Sequence, residues 1–278
     1  MPYIILTIYL VSALTLQFLV GDFPVSIFAF PLNIVLFLIW GASVTATWKN
    51  RRLSGFVRFM LSPGATFAAV GIFLVSCLVI GLTGFRQIVG TWPFIAFILY
   101  FQTVLAYVIL RGWRKTEAGG TRQRKVRWRF LFLHAGLLTA VASAFWGAPD
   151  SETLKLQAFK DVPVAEAYRE DGRTEWLDQP LTMTDFSVSY GTDGIPSDYE
   201  AEVSVGEEKV VLRVNHPYAV NFGEDMYLSG YDVTGGQYCI LQIVREPWRY
   251  GALAGIVMML AGAFMLFVGG PHRRNDNE

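Results

Sequence analysis

The chain has 278 residues, 53% of them hydrophobic and 17% charged, with a formal net charge of zero. That is too apolar for an ordinary soluble domain, and the excess is gathered in blocks. The sequence has no GxxxxGK[ST], HExxH, GxSxG or CxxCH and only three histidines, which argues against a self-contained kinase, peptidase or hydrolase and against a multi-histidine metal centre.

A bilayer core of about 30 Å takes about 20 apolar residues in a helix. Six stretches meet that length, 3–20, 25–47, 65–84, 93–110, 130–147 and 252–270, and none contains Lys, Arg or Glu. They predict a membrane protein with an α-helical bundle of six transmembrane helices. The first stretch has neither a basic flank nor a small-residue cleavage site, so it reads as a retained helix. It forms a hairpin with the second through "GDFPV". Ser62 and Pro63 supply an N-cap and a first-turn proline for the third. Trp92 and Pro93 read as an interfacial aromatic and a helix start, and Gln102 inside that helix reads as a packing residue. The linker after the fourth stretch is basic and carries glycines, which suits a solvated loop.

Between the fifth and sixth stretches the period changes. "LTMTDFSVSY", "YEAEVSV" and "KVVLRVN" alternate apolar and polar residues, "QYCILQIVRE" reads as a further strand, and "GTDGIPSD", "VGEE" and "VTGGQ" are turn signals. About a hundred residues in such strands predict an exported all-β domain, sandwich-like or an open barrel. The expected organisation is a transmembrane hairpin over 1–48, helices three to five with basic loops over 49–147, the β domain over 148–248, and a last helix with a tail over 249–278.

Charge orients the whole. Residues 148–247 hold 19 acids and 7 bases, a net of −12, and the remainder holds 16 bases and 4 acids, a net of +12. The bases fall in "WKNRR" with Arg58, in "RGWRKTEAGGTRQRKVRWR" and in "PHRRNDNE". The positive-inside rule then places both termini and both basic loops in the cytoplasm of a bacterial inner membrane and residues 148–248 outside it. Cys77 and Cys239 fall on either side of that division, and there is no CxxC, so neither thiol–disulfide exchange nor a bridge is expected.

Two places carry chemistry. His134 is the one ionisable group between Arg129 and Asp150. Such a group at membrane depth faces an interior or a cavity. It is either an interfacial histidine bonded to a neighbouring helix or, as a neutral imidazole in an apolar slot, an axial ligand for haem iron. Arg127, Trp128 and Arg129 just before it are placed to meet haem propionates, and the two arginines are equally explained by orientation. The second place is "VLRVNHPYAVNFGEDMYLSGYDV", where His216, Tyr218, Tyr227 and Tyr231 are either a β-bend with core aromatics or a surface for docking a polypeptide or partner subunit.

The order "SPGATFAAVGIFLVSCLVIG", "TWPFIAFILYFQTVLAYVILR", "FLHAGLLTAVASAFWG", then "VNHPYAVNFGEDMYLSGYD" and "EPWRYGALAGIVMMLAGAFMLF", resembles the ResB/CcsB family of system II cytochrome c maturation over roughly residues 60–270. The resemblance implies a non-catalytic or shared subunit of a haem synthase complex, working with a CcsA-type membrane protein. It implies transient haem b, held axially by His134, with the β domain positioning apocytochrome c outside. No WWD-like haem-handling segment is present, as expected if that belongs to the partner. The implied partners are therefore the CcsA-type protein, apocytochrome c and membrane lipid, with no nucleic acid. The hairpin over 1–48 has no counterpart in the family's four-helix plan. A rival of another class is a membrane sensor or assembly scaffold with a ligand-binding β domain, although the cytoplasmic loops leave no room for an output domain.

Overall fold

A computed structural model describes residues 2–84, 86–113, 128–190, 192, 196–232 and 236–269. The chain divides into two compact units, one of Met1–Pro149 with Arg249–Glu278 and one of Asp150–Trp248.

The first unit is helical: α1 (Pro2–Val20), α2 (Leu32–Lys49), the short α3 (Ser54–Met60), α4 (Pro63–Thr83), α5 (Trp92–Trp113), α6 (Trp128–Gly147) and α7 (Arg249–Gly269). Local chemistry sets the ends of α4. The Ser62 hydroxyl accepts from the Ala65 N–H at 3.3 Å, Pro63 opens the first turn, and Gly84 closes the helix at φ 65°. α5 is the hub, and Phe97, Ile98, Phe101, Val104, Leu105 and Tyr107 form the buried centre of the unit.

The prediction of six membrane-spanning helices is corrected to five among the described residues: Leu32–Lys49, Pro63–Thr83, Trp92–Trp113, Trp128–Asp150 and Arg249–Gly269. α1 is not among these five; the apolar stretch found in it among the described residues is Thr7–Val20. Its polar groups also have work within the unit. The Tyr9 hydroxyl donates to the Ala96 carbonyl at 2.7 Å, and the Gln17 side-chain oxygen accepts from the Trp92 N–H at 2.9 Å, so α1 buttresses the start of α5.

The second unit is one antiparallel sheet of eight strands, which corrects the predicted sandwich. The strands are β1 (Glu152–Phe159), β2 (Val164–Arg169), β3 (Thr174–Tyr190), β4 (Pro196–Val205), β5 (Glu208–Arg213), β6 (Tyr218–Asn221), β7 (Glu224–Tyr231) and β8 (Tyr238–Arg245), in the order β5-β4-β3-β2-β1-β8-β7-β6. A single sheet suffices because it is bent. Register shifts fall between Val164 and Glu166 of β2, in its pairing with β3, and between Met183 and Asp185 of β3, and the turn from Arg213 to His216 joins the two edge strands β5 and β6. The curled sheet wraps a core of Leu154, Leu156, Met183, Val203, Leu212, Met226 and Leu241. The first and last strands pair along their full length, from Glu152 opposite Arg245 to Phe159 opposite Tyr238. The unit's entry and exit therefore lie side by side, and the Trp248 indole N–H closes them by donating to the Asp150 carboxylate at 2.7 Å.

Candidate functional site

His134 sits half-buried in the second turn of α6. Its Nδ1 lies 2.9 Å from the Phe130 carbonyl oxygen one turn back. A carbonyl only accepts, so Nδ1 carries the proton, and the Nε2 lone pair is left for another partner. That is the tautomer and restraint found in histidines that ligate metals, whose second nitrogen is held by a carbonyl or carboxylate. The ring also stacks on Phe130, with centroids 4.1 Å apart. Phe130 in turn is seated against Gly112 near the end of α5, and a β-carbon added there would lie 2.8 Å from the ring's Cζ. Imidazole orientation is thus fixed from below by α5 through Phe130.

Trp128 is exposed in the first turn of α6 and meets Phe132 edge-on at 6.2 Å, while Arg129 beside it is half-buried. Arg127 lies outside the described residues. Among the described residues no group of three or more His, Cys, Asp or Glu side chains converges as a metal site.

α6 is held from both sides. Gly136, Ala140 and Ser143 face Gly255 and Gly251 of α7, so closely that a β-carbon on Gly136 would lie 2.7 Å from the Gly255 carbonyl oxygen and one on Gly262 would lie 2.8 Å from Leu133 Cγ. Toward α5, Leu137, Leu138, Val141 and Phe145 pack on the central cluster. Gln102 is fully buried there, and its side-chain oxygen accepts from the Trp146 indole N–H at 3.1 Å. It does pack helices, and by a side-chain hydrogen bond. The spacing of "GALAGIVMMLAG" was the sequence signal for the α6–α7 seam.

The aromatic return in the β unit does not form one surface. His216 is exposed in the β5–β6 turn, where its backbone N–H donates to the Arg213 carbonyl at 3.1 Å. The Tyr218 hydroxyl donates to Glu208 at 2.9 Å, and its ring packs against the core. Tyr231 lies in a separate group with Phe186 and Tyr199, at 5.0 and 4.8 Å. Tyr227 alternates with the buried Met226 and Leu228 and so projects from the opposite face of β7.

What the sequence reading missed in this unit is an ionic cluster across five strands. Arg169 bridges Glu152 at 2.7 Å and Glu175 at 2.5 Å, and Arg245 bridges Glu152 at 3.2 Å, Glu224 at 2.8 Å and also Glu175. Burial alone would raise the Glu175 carboxyl, but hydrogen bonds from Arg169 and Arg245 outweigh it and hold the group below its ordinary value. Its five members come from β1, β2, β3, β7 and β8, so nothing short of the strand register could have assembled them.

Residues 106–237 match the family model described as the ResB-like family. No curated protein matches. A solved structure named Cytochrome c Heme Lyase CcmF aligns with a TM-score of 0.39 and 14% sequence identity, over 69% of this chain and 33% of that one. This chain thus spans about a third of that protein's length, and at that score nothing is carried over from it. The segment that matches the family runs from within α5 through α6 to the residue before β8, and over it this chain is similar to the ResB-like family.

Proposed function

We propose that this chain is a membrane subunit of a cytochrome c biogenesis complex, in which His134 gives its Nε2 to the iron of haem in transit. The ResB-like segment supports the biogenesis role, and the observation that carries the site is the His134 imidazole itself. Its Nδ1–H is tied to the Phe130 carbonyl at 2.9 Å, and its free nitrogen is presented from a half-buried position on a helix long and apolar enough to cross a membrane. Haem is the cargo here, and this chain supplies one axial nitrogen. A second ligand and the thioether chemistry fall to a partner of the CcsA type. Trp128 and Arg129, with Arg127, serve the entry of the haem propionates.

Five spans and the charges beside them also support a sidedness. Lys49 ends α2, Arg51, Arg52 and Arg58 lie between α2 and α4, and Arg111 and Arg129 lie near the end of α5 and the start of α6. With five spans these connections fall on one side, and the positive-inside rule supports the cytoplasm for it, with the β unit outside and the end of α7 inside. With α1 no longer counted as a span, a cytoplasmic N-terminus no longer follows. The net charge of −12 over residues 148–247 suits attraction of a basic apocytochrome over a Debye length of about 8–10 Å.

The test is the visible spectrum of the detergent-purified chain with its CcsA-type partner, wild type against His134→Ala. Sharp reduced bands in the wild type, lost in the variant and restored by added imidazole, are the expected result. Equal haem in both would make His134 a packing residue. Stable protein without haem in either would sink the haem reading for this chain.

A further inference from the structure

The match to the ResB-like family begins within α5, and α2 lies wholly before it. Yet α2 is built to grip α6. Asn33, Phe37, Trp40, Val44, Thr47 and Trp48 recur every three or four residues and so share one stripe of the helix. The stripe is turned inward. Asn33 is 1% exposed, whereas Val35, Leu38 and Ile39 on the other side are 48%, 63% and 55% exposed.

Asn33, Phe37, Trp40, Thr47 and Trp48 each have a partner on α5 or α6. The Thr47 hydroxyl meets the Tyr107 hydroxyl at 2.5 Å, Trp48 stacks on the Tyr107 ring at 6.1 Å, and the Trp40 indole N–H donates to Thr103 at 3.1 Å. Phe37 and Trp40 flank the Trp146 indole, at 5.7 and 6.5 Å. At the head of the stripe the Asn33 amide donates to the backbone carbonyl of Trp146 at 2.9 Å, and the Asn33 side-chain oxygen accepts from the Ile34 N–H at 2.8 Å. Trp146 is in the last turn of α6, whose carbonyls have no acceptor role left within the helix. In apolar surroundings such a carbonyl needs a donor from elsewhere. Asn33 provides one from 113 residues away in the chain.

We propose that Asn33 is a positioning residue: through the Trp146 carbonyl, α2 fixes the last turn of α6, the point from which the chain leaves the helical unit for the β unit. The hairpin outside the matched segment then has a defined task. It sets the end of the helix that carries His134, and its importance for cytochrome c biogenesis rests on the reading of that helix given above. Trp146 is held at two points, since its indole N–H also donates to Gln102 at 3.1 Å, and the Asn33 contact is the one that acts on the backbone.

The test is hydrogen–deuterium exchange on the full chain in detergent, without haem or partner, so that a failed haem experiment leaves it untouched. Asn33→Leu removes the donor at nearly constant size. Peptides covering residues 143–150 should exchange about tenfold faster, while those from α4 and from β1 and β8 keep the wild-type rate. Asn33→Gln keeps the amide donor and should return the protection. If Asn33→Leu does not accumulate, Asn33→Ser, with a hydroxyl too short to span the gap, should show the same local acceleration. Unchanged exchange at 143–150, or a uniform rise across the whole chain, would overturn the proposal.

Discussion

Among the described residues of the helical unit the buried polar side chains are Asn33, Gln102 and Ser143, all neutral. In the β unit the polar cluster is ionic, with Arg169 and Arg245 set among Glu152, Glu175 and Glu224 and each member partly open to solvent. The apolar contacts differ in the same way. α6 meets α7 backbone to backbone at glycines, whereas the strands enclose large side chains such as Leu154, Met183 and Leu241. The solvent each unit is built for accounts for both contrasts. Lipid offers helices little hydrophobic drive to associate and no water to screen a charge, so close contact at small residues and neutral hydrogen bonds must serve. Water drives burial in the β unit and tolerates charges at its surface.

The sharpest way to break this comparison is a side chain in the α6–α7 seam. In Gly255→Leu the new β-carbon would lie 2.6 Å from the Gly136 carbonyl oxygen and 2.9 Å from Ala140 Cα, and it would press on the Ala140 nitrogen as well. These are backbone atoms that cannot turn aside, so the cost should reach at least about 3 kcal/mol, at the upper end for overpacking. Thermal unfolding in detergent should show a large loss. Gly81→Leu on α4, where nothing lies within 4 Å of the added carbon, should melt close to wild type. Equal melting of the two variants would mean that α6 and α7 are not held by their glycines.

Much of the architecture can be read from residue patterns, for reasons these same contacts make plain. The apolar runs of α2, α4, α5, α6 and α7 follow from hydropathy alone, because lipid demands the same composition all along a span. The strands over 181–190, 199–205 and 209–215 follow from alternation, the strand over 237–246 reads from its apolar run, and "ETLKLQAF" alternates just as well, with Leu154, Leu156 and Ala158 facing inward. The count of spans failed at α1, which is not among the five described helices long and apolar enough to cross a membrane. The sandwich failed because register shifts in β2 and β3 let one sheet curl around its core, and bulges leave no mark in a two-residue period. At the candidate site His134 stands out in the sequence by its isolation. The Phe130 carbonyl that orients it sits four residues back by helix geometry, while Asn33 and Trp146 are joined only by the tertiary fold.

A middling effect is expected from the ionic cluster, and it should depend on pH. Arg245 hydrogen-bonds Glu175 and Glu224 and bridges Glu152, and although burial would lower its pKa those carboxylates raise it. Glu175 is held below its ordinary value, so the stability it contributes is present above the usual carboxylate range and is lost as pH falls through its lowered value. Arg245→Met should cost about 1–2 kcal/mol at neutral pH, a discounted value for a cluster partly open to solvent. Between about pH 7 and about pH 3 the wild-type β unit should lose stability, and the variant, having less to lose, should show a flatter profile. Urea midpoints followed by the circular dichroism of the strands would decide it. Identical slopes would place the acid sensitivity elsewhere.

The smallest effect should come from His216, the counterpart in the β unit of His134. Its side chain is exposed, and the hydrogen bond that shapes its turn runs from its backbone N–H to the Arg213 carbonyl at 3.1 Å, so the ring contributes nothing to that bond. The turn depends instead on Asn215, which holds φ 60°, a left-handed conformation that Asn tolerates and a β-branched residue does not. His216→Ala should therefore shift the urea midpoint by no more than about 0.5 kcal/mol equivalent, while Asn215→Val should cost about 1–2 kcal/mol. If His134 holds haem as proposed, bound haem should likewise be unchanged in His216→Ala and lost in His134→Ala, the imidazole tethered at Nδ1 to the Phe130 carbonyl. Strong haem loss from His216→Ala alone would move a ligand into the β unit and reverse the contrast between the two histidines.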